Sequence, residues 1–375
     1  MPECTTPLWP CAMTGAAACL AGFEGISVVI HGSSGCYYYP ATLLHAPLHG
    51  TFILENEVVY GSGDRLREVI TDLSGKGSRI AVITTCVPSA LGEDIRSMVD
   101  DEIIVVDSPG FAGELEAGYR KALEALAPAV DPEQRGVNID GISLSDPFYE
   151  GNLYEVSRLL DRAGIDVGTV FSRDRVGMAG HASSLTIGTN EDFGSGVGSS
   201  VGGTLGIPAL RATFARLSDA VASADVDPVL QELDRQEERV IHACDKFLRR
   251  YDPPGVAIFA GTSYALFAAD TLKRYLDAGI LMAGTRNGLP EHPHRQYRVE
   301  RMAGLEEVRS TIAETAPDLV IGSSFERSLS PDRPFVGIIP PLRGKVRLAY
   351  HSLAGTAGVL SFIEEVLNAC MDQPV

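Results

Sequence analysis

The chain has 375 residues, 45% of them hydrophobic and 21% charged, enough for two or three globular domains. A formal net charge of -18 repels polyanions and speaks against a nucleic-acid partner. No apolar run reaches the ~20 residues of a membrane helix and no leader segment is evident. The expected setting is therefore the cytoplasm, where seven cysteines favour metal or redox chemistry over disulfides.

Taken in chain order, strand and helix patterns alternate, which predicts parallel sheets. The apolar runs Ser27–Ile30, Ile80–Thr84 and Ile103–Val106 read as buried strands, with a helix around Glu93–Val99. The proline- and charge-rich stretch Pro128–Arg135 reads as a linker. A second unit follows with the strand Val137–Ile142, a helix over Gly151–Ala163 and the strand Val167–Phe171. Its glycine-rich tail, Gly188–Gly206, leads to a long polar helix from Pro228 to about Arg250, which Asp252-Pro253-Pro254-Gly255 breaks. The third unit carries strands at Val256–Ala260, Leu319–Ile321 and Val336–Ile339, a helix over Ser263–Ala278 and a closing helix over Gly355–Met371. The boundaries drawn from this pattern are 1–135, 136–251 and 252–375.

Three cysteines sit among turn residues instead of on apolar stripes. Cys11 lies in Pro10-Cys11-Ala12-Met13-Thr14-Gly15, Cys36 closes His31-Gly32-Ser33-Ser34-Gly35-Cys36, and Cys86 closes Thr84-Thr85-Cys86. The last two fall just past predicted strand ends, the edge where open α/β sheets bind ligands. Thiolates delivered there by separate loops suit a soft metal or an iron–sulfur cluster. Cys19, Cys244 and Cys370 lie on apolar runs or stripes and read as core residues. Cys4, near the terminus, fits either role.

Other motifs are weaker. The chain contains no Gly-x-x-x-x-Gly-Lys-Ser/Thr, and Gly196-Val197-Gly198 lacks the third glycine of a dinucleotide fingerprint, where Val201 stands. Pro47 between His45 and His49 argues against a two-histidine zinc helix, and His292-Pro293-His294 reads as a turn. His31 is placed to hydrogen-bond beside the Cys36 loop. His181 and His351 follow predicted strands in small-residue contexts and are candidate proton donors or, equally, surface or capping residues.

These cysteine loops, with Leu91-Gly92-Glu93-Asp94-Ile95 after the third, resemble the nitrogenase component 1 superfamily. Gly141–Asp166, Leu205-Gly206-Ile207-Pro208 and Asp318-Leu319-Val320-Ile321-Gly322 resemble further segments of that family, so the likeness spans nearly the whole chain. It implies three Rossmann-like parallel α/β/α domains. It also implies that Cys11, Cys36 and Cys86 are ligands of an iron–sulfur cluster, [4Fe-4S] being the expected type, at a subunit interface. His351 resembles a histidine of the family's active-site cavity.

The chain departs from the nitrogenase subunits in its shorter length and in lacking a mid-chain cysteine to anchor a molybdenum–iron cofactor. In compactness it is similar to the tetrapyrrole-reducing branch, and most to the catalytic components of Ni-sirohydrochlorin a,c-diamide reductive cyclase in coenzyme F430 synthesis. That resemblance implies an ATP-carrying iron protein of the nitrogenase-reductase type as electron donor, and the shortage of cluster ligands in one chain predicts a dimer, expected to be a homodimer. Three cysteines fall short of the four usual cluster ligands, leaving the fourth to a second copy, to Cys4 or to another group. The alternatives are a scaffold that holds a maturing metallocluster, a protochlorophyllide- or chlorophyllide-type reductase, and a sulfur-compound reductase.

Overall fold

The computed structural model describes residues 8–289 and 296–372. Its strands gather into three all-parallel sheets. The first has the order β2-β1-β3-β4, with β1 Ile26–His31, β2 Leu48–Gly50, β3 Arg79–Thr84 and β4 Ile104–Asp107. The second, β6-β5-β7-β8, is built from β5 Val137–Asp140, β6 Val167–Val170, β7 Leu185–Gly188 and β8 Ser199–Gly203. The third, β11-β10-β9-β12-β13, is built from β9 Gly255–Ala260, β10 Gly279–Thr285, β11 Val299–Arg301, β12 Leu319–Gly322 and β13 Phe335–Gly337.

The central strands β3, β9 and β12 are near-continuous apolar runs because helices cover both of their faces. In each sheet the chain lays one neighbour on one side of the first strand and then crosses to its other side. The resulting switch points lie between β1 and β3, β5 and β7, and β9 and β12. One continuous core joins all three units: Val28 and Ile30, Ile139 and Ile187, and Ile258 and Ile321 belong to the same apolar cluster.

Two local readings shift. The helix expected over Glu93–Val99 shrinks to Ile95–Met98, because a separate helix, Cys86–Leu91, ends at Gly92 in the left-handed region (φ 71°). The glycine-rich segment holds a strand, β8, whose Gly202 has φ 124°.

Most of the geometry at the first sheet depends on one helix pair. Ala12–Gly22 is apolar nearly all round and buried, as suits a helix inside the protein. It crosses the helix Leu115–Ala125 backbone to backbone. A Cβ on Gly15 would lie 1.7 Å from the Leu115 carbonyl oxygen, and one on Gly118 would lie 1.7 Å from that of Ala12. Only glycine fits at either position. Gly118→Val should therefore cost stability at the upper end of ~1–3 kcal/mol or beyond, read as a lowered denaturant midpoint. Because the clash falls on Ala12, the same variant should also disturb the neighbouring Cys11. A near-wild-type midpoint would show that the two helices can part without loss.

Candidate functional site

The three cysteines arrive at one place from three elements. Cys11 caps the start of the Ala12–Gly22 helix, Cys36 lies in the first turn of the helix Ser34–Leu44, and Cys86 opens the Cys86–Leu91 helix. Cys36 and Cys86 follow β1 and β3, the strands that flank the first sheet's switch point. Gly110, just beyond β4, closes the set: a Cβ there would stand 3.2 Å from the sulfurs of both Cys11 and Cys86. Its missing side chain leaves room in front of those sulfurs.

Each sulfur also has a polar neighbour. The Gly110 N–H donates to Cys86 Sγ at 3.1 Å, the Ser33 hydroxyl donates to Cys36 Sγ at 3.7 Å, and Thr14 Oγ1 lies 3.8 Å from Cys11 Sγ. Such donors, with helix N-termini behind Cys11 and Cys36, stabilise thiolates. Burial pushes the Cys36 thiol up in the absence of a metal, and the nearby Cys86 and Cys11 add to that.

Among the described residues no group of three or more His, Cys, Asp or Glu is compact enough to hold a metal ion. A tetrahedral single-ion site with metal–sulfur bonds near 2.3 Å would bring sulfurs to about 3.8 Å from one another. The donor set, two thiols at a glycine gap and a third nearby, fits a larger iron–sulfur cluster better than a single ion. Cys4 lies outside the described residues, as do His292 and His294.

A residue set behind the cysteines escaped the sequence reading in part. His31, buried at the end of β1, has Nδ1 3.2 Å from Thr51 Oγ1 and Nε2 3.0 Å from Ser62 Oγ. The Ser62 hydroxyl and its backbone N–H both donate to the Glu93 carboxylate. Gly32 N–H donates to Thr51 Oγ1 at 3.1 Å. With Ser62 donating to Glu93, its hydroxyl oxygen is free to accept from His31 Nε2–H, and the Thr51 hydroxyl can donate to a neutral Nδ1. The network ties the Cys36 loop to Glu93 just after the Cys86 helix, and Glu93 had been visible only as part of Leu91-Gly92-Glu93-Asp94.

The two candidate histidines stand elsewhere. His181 is largely exposed, and its Nδ1 lies 2.9 Å from Asp131 Oδ2. His351 is half-buried beside a narrow crevice walled by Phe148, Val336 and Arg347. Its loop is pinned from below, because Asn152 Oδ1 accepts from Ser352 Oγ and from the N–H groups of Leu353 and Ala354.

A cleft of about 740 Å³ is lined by neither histidine. Residues following β7, β8, β9 and β10 form most of its walls, so the carboxyl edges of the second and third sheets face it. Glu116, Arg120, Asp192, Ser263, Arg274 and Asn287 are among its polar lining groups. Burial raises the Asp192 carboxyl and pushes Glu116 to about 8, helped by the charge of Asp192. Deeper in, burial raises Asp146 to about 6, while the Tyr264 hydroxyl and the Phe148 N–H donate to it.

Burial also holds His31 below its ordinary 6.5, against the opposing pull of Glu93. A histidine depressed in the folded state contributes stability above its unfolded pKa and loses it as pH falls through the folded value. The wild-type protein should therefore lose stability from this group as pH drops below about 6.5. His31→Gln should be weaker at neutral pH by roughly 1–3 kcal/mol, with the deficit shrinking on the acid side. Denaturant midpoints of the two proteins across pH give that difference directly. A deficit independent of pH would assign the ring no titrating role.

A family model described as nitrogenase component 1 type oxidoreductase matches residues 11–371. The iron-molybdenum cofactor biosynthesis protein NifE of Clostridium pasteurianum is 23% identical, the match covering 97% of this chain and 88% of that protein. NifE of Methanococcus maripaludis is 26% identical over 85% of this chain and 75% of its own length. The nitrogenase molybdenum-iron protein beta chain of Frankia alni is 30% identical over 43% of this chain and 36% of that one. A solved structure described as nitrogenase Cp1 at pH 6.5 superposes with a TM-score of 0.83 at 17% identity, covering 98% of this chain and 93% of that chain, which shows the same fold. With the three parallel sheets and a family match along almost its entire length, the chain belongs to the nitrogenase component 1 type oxidoreductases.

Proposed function

We propose that this chain is the electron-accepting catalytic component of an ATP-dependent, two-component reductase that acts on a tetrapyrrole, with Ni-sirohydrochlorin a,c-diamide as the substrate. The observation that carries the reading is the Gly110 gap in front of Cys11 and Cys86, with Cys36 near enough to feel both thiols. Bound there, an iron–sulfur cluster, expected to be [4Fe-4S], supplies one-electron transfer at low potential. The chain's own residues hold the thiolates, donate hydrogen bonds to them and keep the site partly buried.

The surface around the cysteines supports a dimer. Tyr38 and Tyr39 extend the Cys36 helix, Val59 and Tyr60 follow β2, Leu91 ends the Cys86 helix, and Phe111 adjoins Gly110. All six are large, apolar and exposed. Exposed apolar side chains on the segments that carry the cysteines suit an interaction site, and a second copy would cover them and offer a further cluster ligand.

The cleft supports a bulky organic substrate. Its volume lies within the range of ligand sites, and Arg120 and Arg274 suit the carboxylates at a tetrapyrrole's rim. No cysteine lines it among the described residues, so no thiolate is available there to anchor a metallocluster. With no phosphate loop in the chain, ATP is assigned to a nitrogenase-reductase-like iron protein that docks and delivers single electrons. His351 is assigned a part in proton delivery from its pinned loop, and the exposed, ion-paired His181 a lesser one.

A second reading is a scaffold for a maturing metallocluster. It is favoured by relatives, covering most of the chain, that are named as cofactor biosynthesis proteins. Anaerobic reconstitution of this protein with the iron protein, ATP, a strong reductant and the nickel macrocycle separates the two. Macrocycle reduction that needs all components supports the first reading; cluster release to an acceptor protein without reduction supports the second. Cys36→Ala should lose most bound iron while Cys244→Ala, altered at a buried core position, should keep it. A His351→Ala variant should retain its iron and lose rate. Equal iron in the Cys36 and Cys244 variants would remove the cluster assignment.

A further inference from the structure

Glu116 is a buried carboxyl on the wall of the cleft, and the proposed electron path makes no use of it. It lies in the first turn of the Leu115–Ala125 helix. Its carboxyl is met by donors only: the Trp9 indole N–H, 3.0 and 3.1 Å from the two carboxyl oxygens, and the backbone N–H of Glu116 itself. An indole N–H donates and cannot accept. A proton on Glu116 therefore has no protein acceptor there and faces the space of the cleft.

The groups around it favour a bound proton. Asp192, partly buried and lining the cleft, is held by the N–H and hydroxyl of Ser263 at 3.1 and 3.0 Å. That geometry suits an ionised Asp192, whose negative charge opposes ionisation of Glu116. Glu114, just before Glu116, adds to the opposition, and Arg301 of the third unit pairs with Glu114. Glu191 stands beside Asp192 on the same turn. Arg120, one turn along the helix, and Arg274 and Asp270 from the third unit also line the cleft, but no ion pair joins either arginine to Glu116 among the described residues. The helix Ala12–Gly22, packed against the other side, presents only backbone and small residues at the crossing.

We propose that Glu116 and Asp192 hold one proton between them at the cleft wall and that Glu116 donates it to the occupant reduced there. The donation rests on the reading of the cleft as the site of reduction. The Glu116 O–H bond breaks, the proton passes to an atom of the ligand that has gained an electron supplied by the iron-protein partner, and Glu116 is left as a carboxylate. Solvent entering the open cleft returns the proton.

The test is infrared spectroscopy of the full-length, cluster-loaded protein without substrate. A protonated carboxyl stretch should be present at neutral pH, fade as pH rises through about 8, and be absent in Glu116→Gln. In Asp192→Asn it should fade at lower pH, because the opposing charge is gone. On transfer to heavy water it should shift at once, as an open cleft requires. A wild-type protein with no such band at neutral pH, a band unchanged in Glu116→Gln, or one that shifts in heavy water only after unfolding would overturn the proposal. In the reconstituted assay Glu116→Gln should keep its iron and its KM for the macrocycle while kcat falls at least tenfold and loses its decline above about pH 8. A wild-type kcat and pH profile in that variant would overturn the donor role. If the band behaves as described but the wild-type protein reduces no macrocycle, the proton site stands and the substrate reading fails.

Discussion

Two helices that meet without side chains between them set the geometry of this protein. At the crossing of Ala12–Gly22 with Leu115–Ala125, Gly15 and Gly118 let each backbone touch a carbonyl of the other. The contact is reinforced just upstream, where the Ala12 N–H donates to the Gly113 carbonyl at 3.0 Å and Cys11 bridges to Glu114. Cys11 is thereby held against the segment that supplies Gly110, and Glu116 is held in the same turn that faces the cleft. Separating the helices by the width of a methyl group would move a cysteine and a carboxyl together.

That shared anchor would join the proposed electron chemistry to the proposed proton chemistry over a short stretch of chain. Trp9 is two residues from Cys11, and its indole N–H reaches the Glu116 carboxyl. The cysteine site at one sheet edge and the acid at the cleft wall are thus tied by Trp9-Pro10-Cys11 on one side and by 110–116 on the other. The two ties form a rigid link between the places where charge would arrive and where it would be neutralised. Beyond the cleft, the buried Asp146, Tyr264 and Asn152 form a second polar chain that ends under the His351 loop.

The parts of the fold legible in the sequence were those with a one-dimensional pattern. The runs at β1, β3, β9 and β12 are apolar and bounded by glycine or polar turns, so they stood out with boundaries shifted by a residue or two. The Gly355–Met371 helix was legible end to end. The Ala12–Gly22 helix was not, because a buried all-round apolar helix has no polar face to give it a period. Strand β8 was hidden by its glycines, which weaken any strand signal. The placement of Cys36 and Cys86 past strand ends could be read directly, whereas their approach to Cys11 depends on the helix crossing, a contact across about a hundred residues of sequence. Glu116 and Asp192 gave no signal at all. Each looks like an ordinary surface acid until packing of the units buries Glu116 and half-buries Asp192 beside it.

The burial of those acids bears on what the cleft is for. Holding a proton on a carboxyl up to pH 8 instead of 4.5 corresponds to on the order of 5 kcal/mol against ionisation in place. A protein gains nothing structural from this, since a glutamine at position 116 could accept the same Trp9 hydrogen bond with no titrating group to bury. A carrier that only stores and releases a metallocluster has thiolates to supply and no proton to give. A reductase that adds electrons to a conjugated ring must add protons as well, and a neutral carboxyl facing the cleft meets that need at physiological pH. If the cleft is the proposed site of reduction, the buried acid is placed to supply the proton that it needs.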